Sequence, residues 1–243
     1  MLRDLARHQV RVYSDSRSAP PPWQETLLRH KADILERCIA ALGTSPRGAC
    51  AILDVGCNDG AMLALLERPG RALLGIDLSP ACVEKANLRP GVRAQVADAS
   101  TNLPFPAAEF DLVVSSEIIE HIYDTDRFCR EMRRVLKDGG LAFVSTPNVN
   151  CLRNRLLVPL GRYPYGPGCS REGEGHATHV RAYNMRALAA QLGRNGFEIV
   201  LRACTHVLPI SVSAFRLGYR LNCALGSIFP TLGSDIIVVA RKR

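Results

Sequence analysis

Ala51-Ile52-Leu53-Asp54-Val55-Gly56-Cys57-Asn58-Asp59-Gly60 reads as a buried strand that runs into a tight turn and then a helix. The apolar run before Asp54 suits a strand covered on both faces. Gly56 and Gly60 remove side chains where the backbone turns sharply and where a ligand has to approach. The Ala/Leu-rich residues 61–68 continue as a helix, and its N-terminal amides point back at the crevice above the strand ends, where open α/β sheets bind ligands. The glycines are spaced G-x-x-x-G. Dinucleotide folds want G-x-G-x-x-G, and a P-loop wants a Lys-Ser or Lys-Thr pair that does not follow Gly60, so neither pattern is present.

Around this stretch, 243 residues with 47% apolar content suffice for one sizeable α/β domain with additions. There is no apolar span of transmembrane length. The first residues, Arg3, Asp4, Arg7 and His8 among them, lack a signal-peptide core, so a soluble cytoplasmic protein is expected. Nine cysteines without a C-x-x-C pair argue against a disulfide framework or a zinc ribbon. Cys38, Cys82, Cys129 and Cys204 fall within apolar patterns, as small core residues do. The net charge of +8 raises the question of nucleic acid, but only four of the 31 basic residues are lysines and the arginines are scattered, not clustered with aromatics. An anionic small molecule or an acidic membrane suits the charge equally.

Residues 1–43 read as a polar arm ending in Pro20-Pro21-Pro22, followed by a helix over 24–42. Leu28, Leu35, Cys38, Ile39 and Leu42 share one face of that helix, which either packs on the sheet edge or closes over a ligand. Residues 44–243 read as the main domain. Its second strand, 72–76, ends at Asp77, where a carboxylate can accept hydrogen bonds from both hydroxyls of a ribose. Ser79-Pro80 supplies the cap and first-turn proline of the next helix. A third strand through Val96 leads to Asp98, and a fourth, 110–116, delivers Glu117-Ile118-Ile119-Glu120-His121 to the crevice. A helix over 124–136, a strand over 141–145, a helix over 184–194 and strands over 197–202 and 235–240 complete the pattern. Two insertions fall at the ligand end. The first, 146–183, is rich in Gly, Pro, Tyr and Arg. In the second, 205–233, Ala214, Leu217, Leu221, Ala224, Leu225 and Ile228 share a helical face suited to covering a pocket, to a homodimer contact or to a membrane surface.

In this order the motifs resemble the class I S-adenosylmethionine-dependent methyltransferases. Between roughly residues 50 and 150 they are similar to the small-molecule branch that includes the ubiquinone-biosynthesis O-methyltransferases. One position departs from the pattern: Asn58 stands where a middle glycine is usual, and Asn tolerates positive φ better than other non-glycine residues. The resemblance implies a Rossmann-like α/β fold, a seven-stranded mostly parallel sheet with helices on both faces, an N-terminal helical cap and two substrate-side insertions. It also implies S-adenosylmethionine as cofactor. Asp54, Gly56, Cys57, Asn58 and Gly60 would form its first motif, Asp77 and Leu78 would meet the ribose, Asp98 and Ala99 the adenine, and Ser116 and Glu117 the methionine end. A small molecule or glycan methylated at oxygen is the expected acceptor.

A hydroxyl acceptor loses its proton as the methyl group arrives, so a base is needed nearby. His121 is the first candidate, Glu117 the second and His179 an alternative. His179 lies in Gly175-His176-Ala177-Thr178-His179-Val180-Arg181-Ala182-Tyr183, which resembles the H-x-R-x-Y/F segment of the same branch. His179 and Arg181 either contact the acceptor or anchor the loop. Glu117, Glu120 and His121 can instead converge on a divalent cation such as Mg2+ that acidifies a hydroxyl. With Ser145-Thr146-Pro147-Asn148 and later histidines, that spacing is similar to the small-RNA 3′-terminal ribose methyltransferases, where it holds a metal. Without a metal, Glu117 lines the cofactor pocket and Glu120 caps the loop. Two alternatives therefore stand beside small-molecule O-methylation: an RNA ribose methyltransferase with a metal site, and a non-catalytic binding module on the same fold.

Overall fold

The computed structural model describes residues 22–42, 50–164, 179–208 and 216–243. The arm before residue 22, and the Gly175 to Thr178 part of the late loop, lie outside the described residues. Helix α1 (Pro22–Ala41) precedes β1 (Cys50–Val55), α2 (Ala61–Leu65), β2 (Arg71–Asp77), α3 (Pro80–Asn87), β3 (Val92–Val96) and β4 (Phe110–Ser116). A 3-10 turn (Ile119–His121) leads to α4 (Thr125–Val135), β5 (Leu136–Pro147), α5 (Leu152–Leu157) and a second 3-10 turn (Val158–Leu160). The chain closes with α6 (Met185–Arg194), β6 (Phe197–Cys204), α7 (Arg216–Ile228) and β7 (Asp235–Lys242).

The strands form one seven-stranded sheet in the order β3-β2-β1-β4-β5-β7-β6. All neighbours are parallel except β7, which runs against β5 and β6. Chain order reverses between β1 and β4, and the crevice opens at their carboxyl ends. Register brings the functional tips level: Val55 sits beside Ile76, Ser116 beside Ser145, and Pro147 beside Asp235. The antiparallel β7 therefore begins at the same edge where the parallel strands end.

Period-2 alternation sorts the strand residues onto two faces. Leu53, Val55, Val113, Val144 and Val238 pack with Phe128 and Met132 of α4 and Leu188 and Leu192 of α6. Ile52, Leu112, Val114, Phe143 and Ile237 pack on the other side with Leu63 and Ala86 and with Ile34, Leu35, Cys38 and Ile39 of α1. The N-terminal helix thus belongs to the main core. Seven of the cysteines, Cys38, Cys50, Cys57, Cys82, Cys129, Cys151 and Cys204, are buried thiols.

One expectation changes. The first helix after the glycine turn ends at Leu65 instead of running to residue 68. Pro69 disfavours helical backbone at the residue before it, and Gly70 turns the chain at φ 86°. Of the apolar face of α7, suited by sequence to covering a pocket, to a homodimer contact or to a membrane surface, Leu221 is 48% exposed and Ile228 66%. The inward face carries Asn222, whose side-chain oxygen accepts from the amides of Val207 and Leu208. It also carries Gly226, where a Cβ would stand 3.1 Å from the Thr205 carbonyl oxygen. Close backbone approach at Gly226 helps to seat the described part of this helix.

At Gly56 the backbone has φ 80°, and an added Cβ would lie 2.1 Å from Ile118 Cδ1. Gly56→Ala is expected to lower the unfolding free energy by about 2–3 kcal/mol in urea titrations, from strain and overpacking together. A loss under about 0.5 kcal/mol would mean that the turn relaxes freely.

Candidate active site

The turn after β1 is built from backbone that most residues avoid. Gly56, Asn58 and Gly60 have φ of 80°, 48° and 73°. Asn58 takes the left-handed conformation required where a glycine is missing. The amides of Gly56 and Cys57 both donate to the Ile76 carbonyl, at 2.8 and 2.9 Å. The Asn58 amide donates to Asp77 Oδ2 and the Ser79 amide to Asp77 Oδ1, each at 2.9 Å. Asp77 therefore ties the turn to the start of α3. An ionised carboxylate offers about four acceptor sites, and two remain for a ligand. Ser79 also caps α3 through its side chain, accepting from the Cys82 amide.

Asp54 is buried beneath the turn. Burial, with the Asp77 charge adding to it, raises its pKa to about 7. Cys57 tucks its thiol over Gly75, where a Cβ would stand 2.6 Å from the sulfur, so Cys57 offers the crevice its backbone. Asp98 forms its own turn, Oδ1 accepting from the Ser100 amide at 2.8 Å and the Ser100 hydroxyl at 2.7 Å. Leu78 and Ala99 follow these two aspartates and are half-buried.

At the tip of β4 a lysine that sequence reasoning passed over organises the site. Lys31 of α1 is 3% exposed. Its ammonium donates to Glu117 Oε1 at 2.7 Å and to Ser116 Oγ at 3.1 Å. Ser145 Oγ also donates to Glu117 Oε1, at 2.7 Å, and Ser116 Oγ and Ser145 Oγ share a 3.0 Å hydrogen bond. Asp235 Oδ2, at the start of β7, lies 4.0 Å from the same ammonium. Burial pulls the Lys31 pKa down, but the Glu117, Asp235 and Glu120 carboxyls outweigh it and hold the pKa above its ordinary value. Burial and then Glu117 push Asp235 up to about 7. The sequence did carry a signal, because positions 28, 31, 35, 38 and 42 form one helical stripe and Lys31 is its only charge. Glu117 itself has φ 59°, so its side chain is aimed by a backbone conformation that costs about 1–3 kcal/mol.

The next residues separate into different roles. Glu120 is 1% exposed; its Oε2 accepts from Thr146 Oγ1 at 2.9 Å, while its Oε1 is buried without a hydrogen-bond partner among the described residues. Burial first, and then the Glu117 charge, raises the Glu120 pKa well above the carboxylate range. The His121 and His179 rings meet edge to face with centroids 4.8 Å apart. Ligand atoms of Glu120, His121 and His179 all lie within 4.8 Å of one another. Glu117, included in the expected cation set, is instead engaged by Lys31 and Ser145. Of the two roles open to Arg181, the structure shows anchoring: its guanidinium donates to the carbonyls of Ile122 and Tyr123, and the Glu120 carbonyl accepts from the Val180 and Arg181 amides.

Comparison with known proteins follows this geometry. A family model described as a methyltransferase domain matches residues 23–202. The chain is 32% identical over 149 residues to a probable S-adenosylmethionine-dependent methyltransferase of Mycolicibacterium smegmatis, covering 61% of this chain and 52% of that protein. It is 35% identical over 142 residues to a ubiquinone biosynthesis O-methyltransferase of Chelativorans sp., covering 54% of this chain and 53% of that protein. A solved S-adenosylmethionine-dependent methyltransferase from Mesorhizobium loti shares the fold, with a TM-score of 0.57 at 22% identity over 84% of this chain and 96% of that one. The chain spans about half the length of the curated relatives it matches.

Two outcomes test the buried charges. Lys31→Met leaves Glu117 and Asp235 without their cation and is expected to cost about 2–4 kcal/mol in urea unfolding, below the full buried-pair loss because Glu117 is partly exposed. Asp54, whose folded pKa is raised, binds more protons folded than unfolded between its ordinary pKa and about 7. Its contribution to stability therefore falls as pH rises through that window. Wild type is expected to lose more stability between pH 5 and pH 8 than Asp54→Asn does; equal slopes would contradict the assignment.

Proposed function

Because the chain belongs to the methyltransferase-domain family, we propose that it uses S-adenosylmethionine to methylate an oxygen of a small-molecule or glycan acceptor. The observation that carries this reading is Asp77, a carboxylate at the tip of β2 that fixes the glycine turn with one acceptor site on each oxygen and keeps others for ribose hydroxyls. Asp98 and Ala99 suit the adenine, and the Gly56 to Gly60 turn admits the methionine portion beside Ser116 and Glu117. The O-methyltransferase name of the Chelativorans relative supports oxygen as the nucleophile.

In the reaction the acceptor oxygen attacks the sulfonium methyl in line. The carbon–sulfur bond breaks with its electron pair left on sulfur, and the acceptor proton passes to a base. Holding the two reactants in line supplies much of the rate. His121 is the base this geometry favours, with His179 against its ring. Glu117 is less available as a base than the sequence suggests, because its Oε1 already accepts from the Lys31 ammonium and from the Ser145 hydroxyl, each at 2.7 Å. Burial, and then the Glu117 charge, shifts Glu120 toward its neutral form, which suits it to hydrogen bonding.

A divalent cation is a second reading, supported by the unpartnered Glu120 Oε1 and the convergence of Glu120, His121 and His179. Two imidazoles and one carboxylate suit zinc or a similar transition ion better than Mg2+, which prefers an octahedron of oxygens. When bound, such an ion supplies a Lewis acid that acidifies a hydroxyl. The RNA version of this reading has less support, since arginines such as Arg71, Arg134 and Arg181 are spent on Glu36, Glu131 and backbone carbonyls.

Calorimetric titration with S-adenosylhomocysteine tests the proposal. Wild type is expected to bind, and Asp77→Ala to weaken binding tenfold or more, about 1.4 kcal/mol. Absence of wild-type binding would leave the fold as a non-catalytic module. Repeating the titration with acceptor candidates in zinc, in magnesium and in chelator separates the metal reading from the metal-free one.

A further inference from the structure

Beside the Asp235 end of the crevice, α1 meets α7 through a thiol and an imidazole. Cys223 Sγ lies 3.2 Å from His30 Nδ1, and His30 Nε2 lies 3.2 Å from the Cys204 carbonyl oxygen. A carbonyl only accepts, so Nε2 carries the ring proton in that bond and Nδ1 presents its lone pair to the thiol. Nucleophile, base and orienting group stand in series at the distances that activated thiols use.

The surroundings keep the series in place and in the right protonation state. Burial lowers the His30 pKa, opposed by the Cys204 carbonyl and Asp33 and assisted by Arg37 and Lys31, which favours the neutral ring. Asn222, next to the thiol, is bound to the Val207 and Leu208 amides, and Gly226 sits against Thr205. Among the described cysteines, Cys223 is the one that is not buried. Burial pushes the Cys38 and Cys204 thiols up to about 11 and Cys129 up to about 12, which leaves them inert.

We propose that Cys223 is a covalent modification site for small soft carbon electrophiles, with His30 as the base that takes its proton. In the step, His30 Nδ1 accepts the thiol proton, a sulfur lone pair forms the sulfur–carbon bond, and the leaving group departs with its bonding pair. With iodoacetamide, iodide leaves and the proton passes from His30 to solvent. The adduct then stands between α1 and α7. None of this depends on methyl transfer.

The test is alkylation of the full chain by limiting iodoacetamide across a pH series, read site by site by peptide mass. Cys169, outside the described residues, is replaced by Ser so that its label does not compete. Cys223 is expected to react with a midpoint about one unit or more below the ordinary thiol value near 8.5, and at pH 7 about threefold or more faster than glutathione. His30→Gln is expected to remove the advantage while the thermal midpoint stays in place. A wild-type midpoint near 8.5 with a glutathione-like rate overturns the proposal whether or not His30→Gln folds. So does a folded His30→Gln that labels as fast as wild type.

Discussion

Gly56, Cys57 and Asn58 each direct a backbone amide at the tip of β2, two to the Ile76 carbonyl and one to the Asp77 carboxylate, and the crevice takes its shape from those three hydrogen bonds. They demand left-handed backbone at Gly56, Asn58 and Gly60. They also press Gly56 against Ile118, just past β4. The turn is therefore held by its two neighbouring strands, with the Asp59 side chain adding a hydrogen bond from the Ala61 amide. A ligand entering here meets a surface already fixed before binding, which keeps the ordering cost of association low.

Around that fixed turn the crevice is rich in acid and short of base. Asp54, Asp77, Glu117, Glu120 and Asp235 gather at the strand tips, and Lys31 is the ammonium that answers Glu117, Asp235 and Glu120. The two glutamates three residues apart are held differently: Glu117 accepts from Lys31 and Ser145, whereas Glu120 is buried with one oxygen unpartnered among the described residues, and that burial raises its pKa.

The parts legible in the sequence are those whose physics is local. The glycine turn, Asp77 at a strand end and the Ser79-Pro80 cap each declare themselves within a few residues, and alternating apolar strands give the sheet its two packed faces. Lys31 pairs with a residue 86 positions away, and no local pattern names the partner of a charge on an apolar stripe. Helix α7 shows a different limit. Periodicity detects that Leu221, Leu225 and Ile228 share a face, but not which way the face points when a glycine on the other side allows closer packing. Pairing of His121 with His179 joins two loops, and only the three-dimensional fold brings their rings together.

Lys31 makes α1 and the sheet depend on each other for charge. The sheet carries the carboxyls and α1 carries the cation, so neither is electrically complete alone. Trimming the chain to its strands would keep every acidic group at the crevice and discard the ammonium that lets them share a small, dry space. Charge neutrality, as much as hydrophobic contact, therefore binds α1 to the sheet.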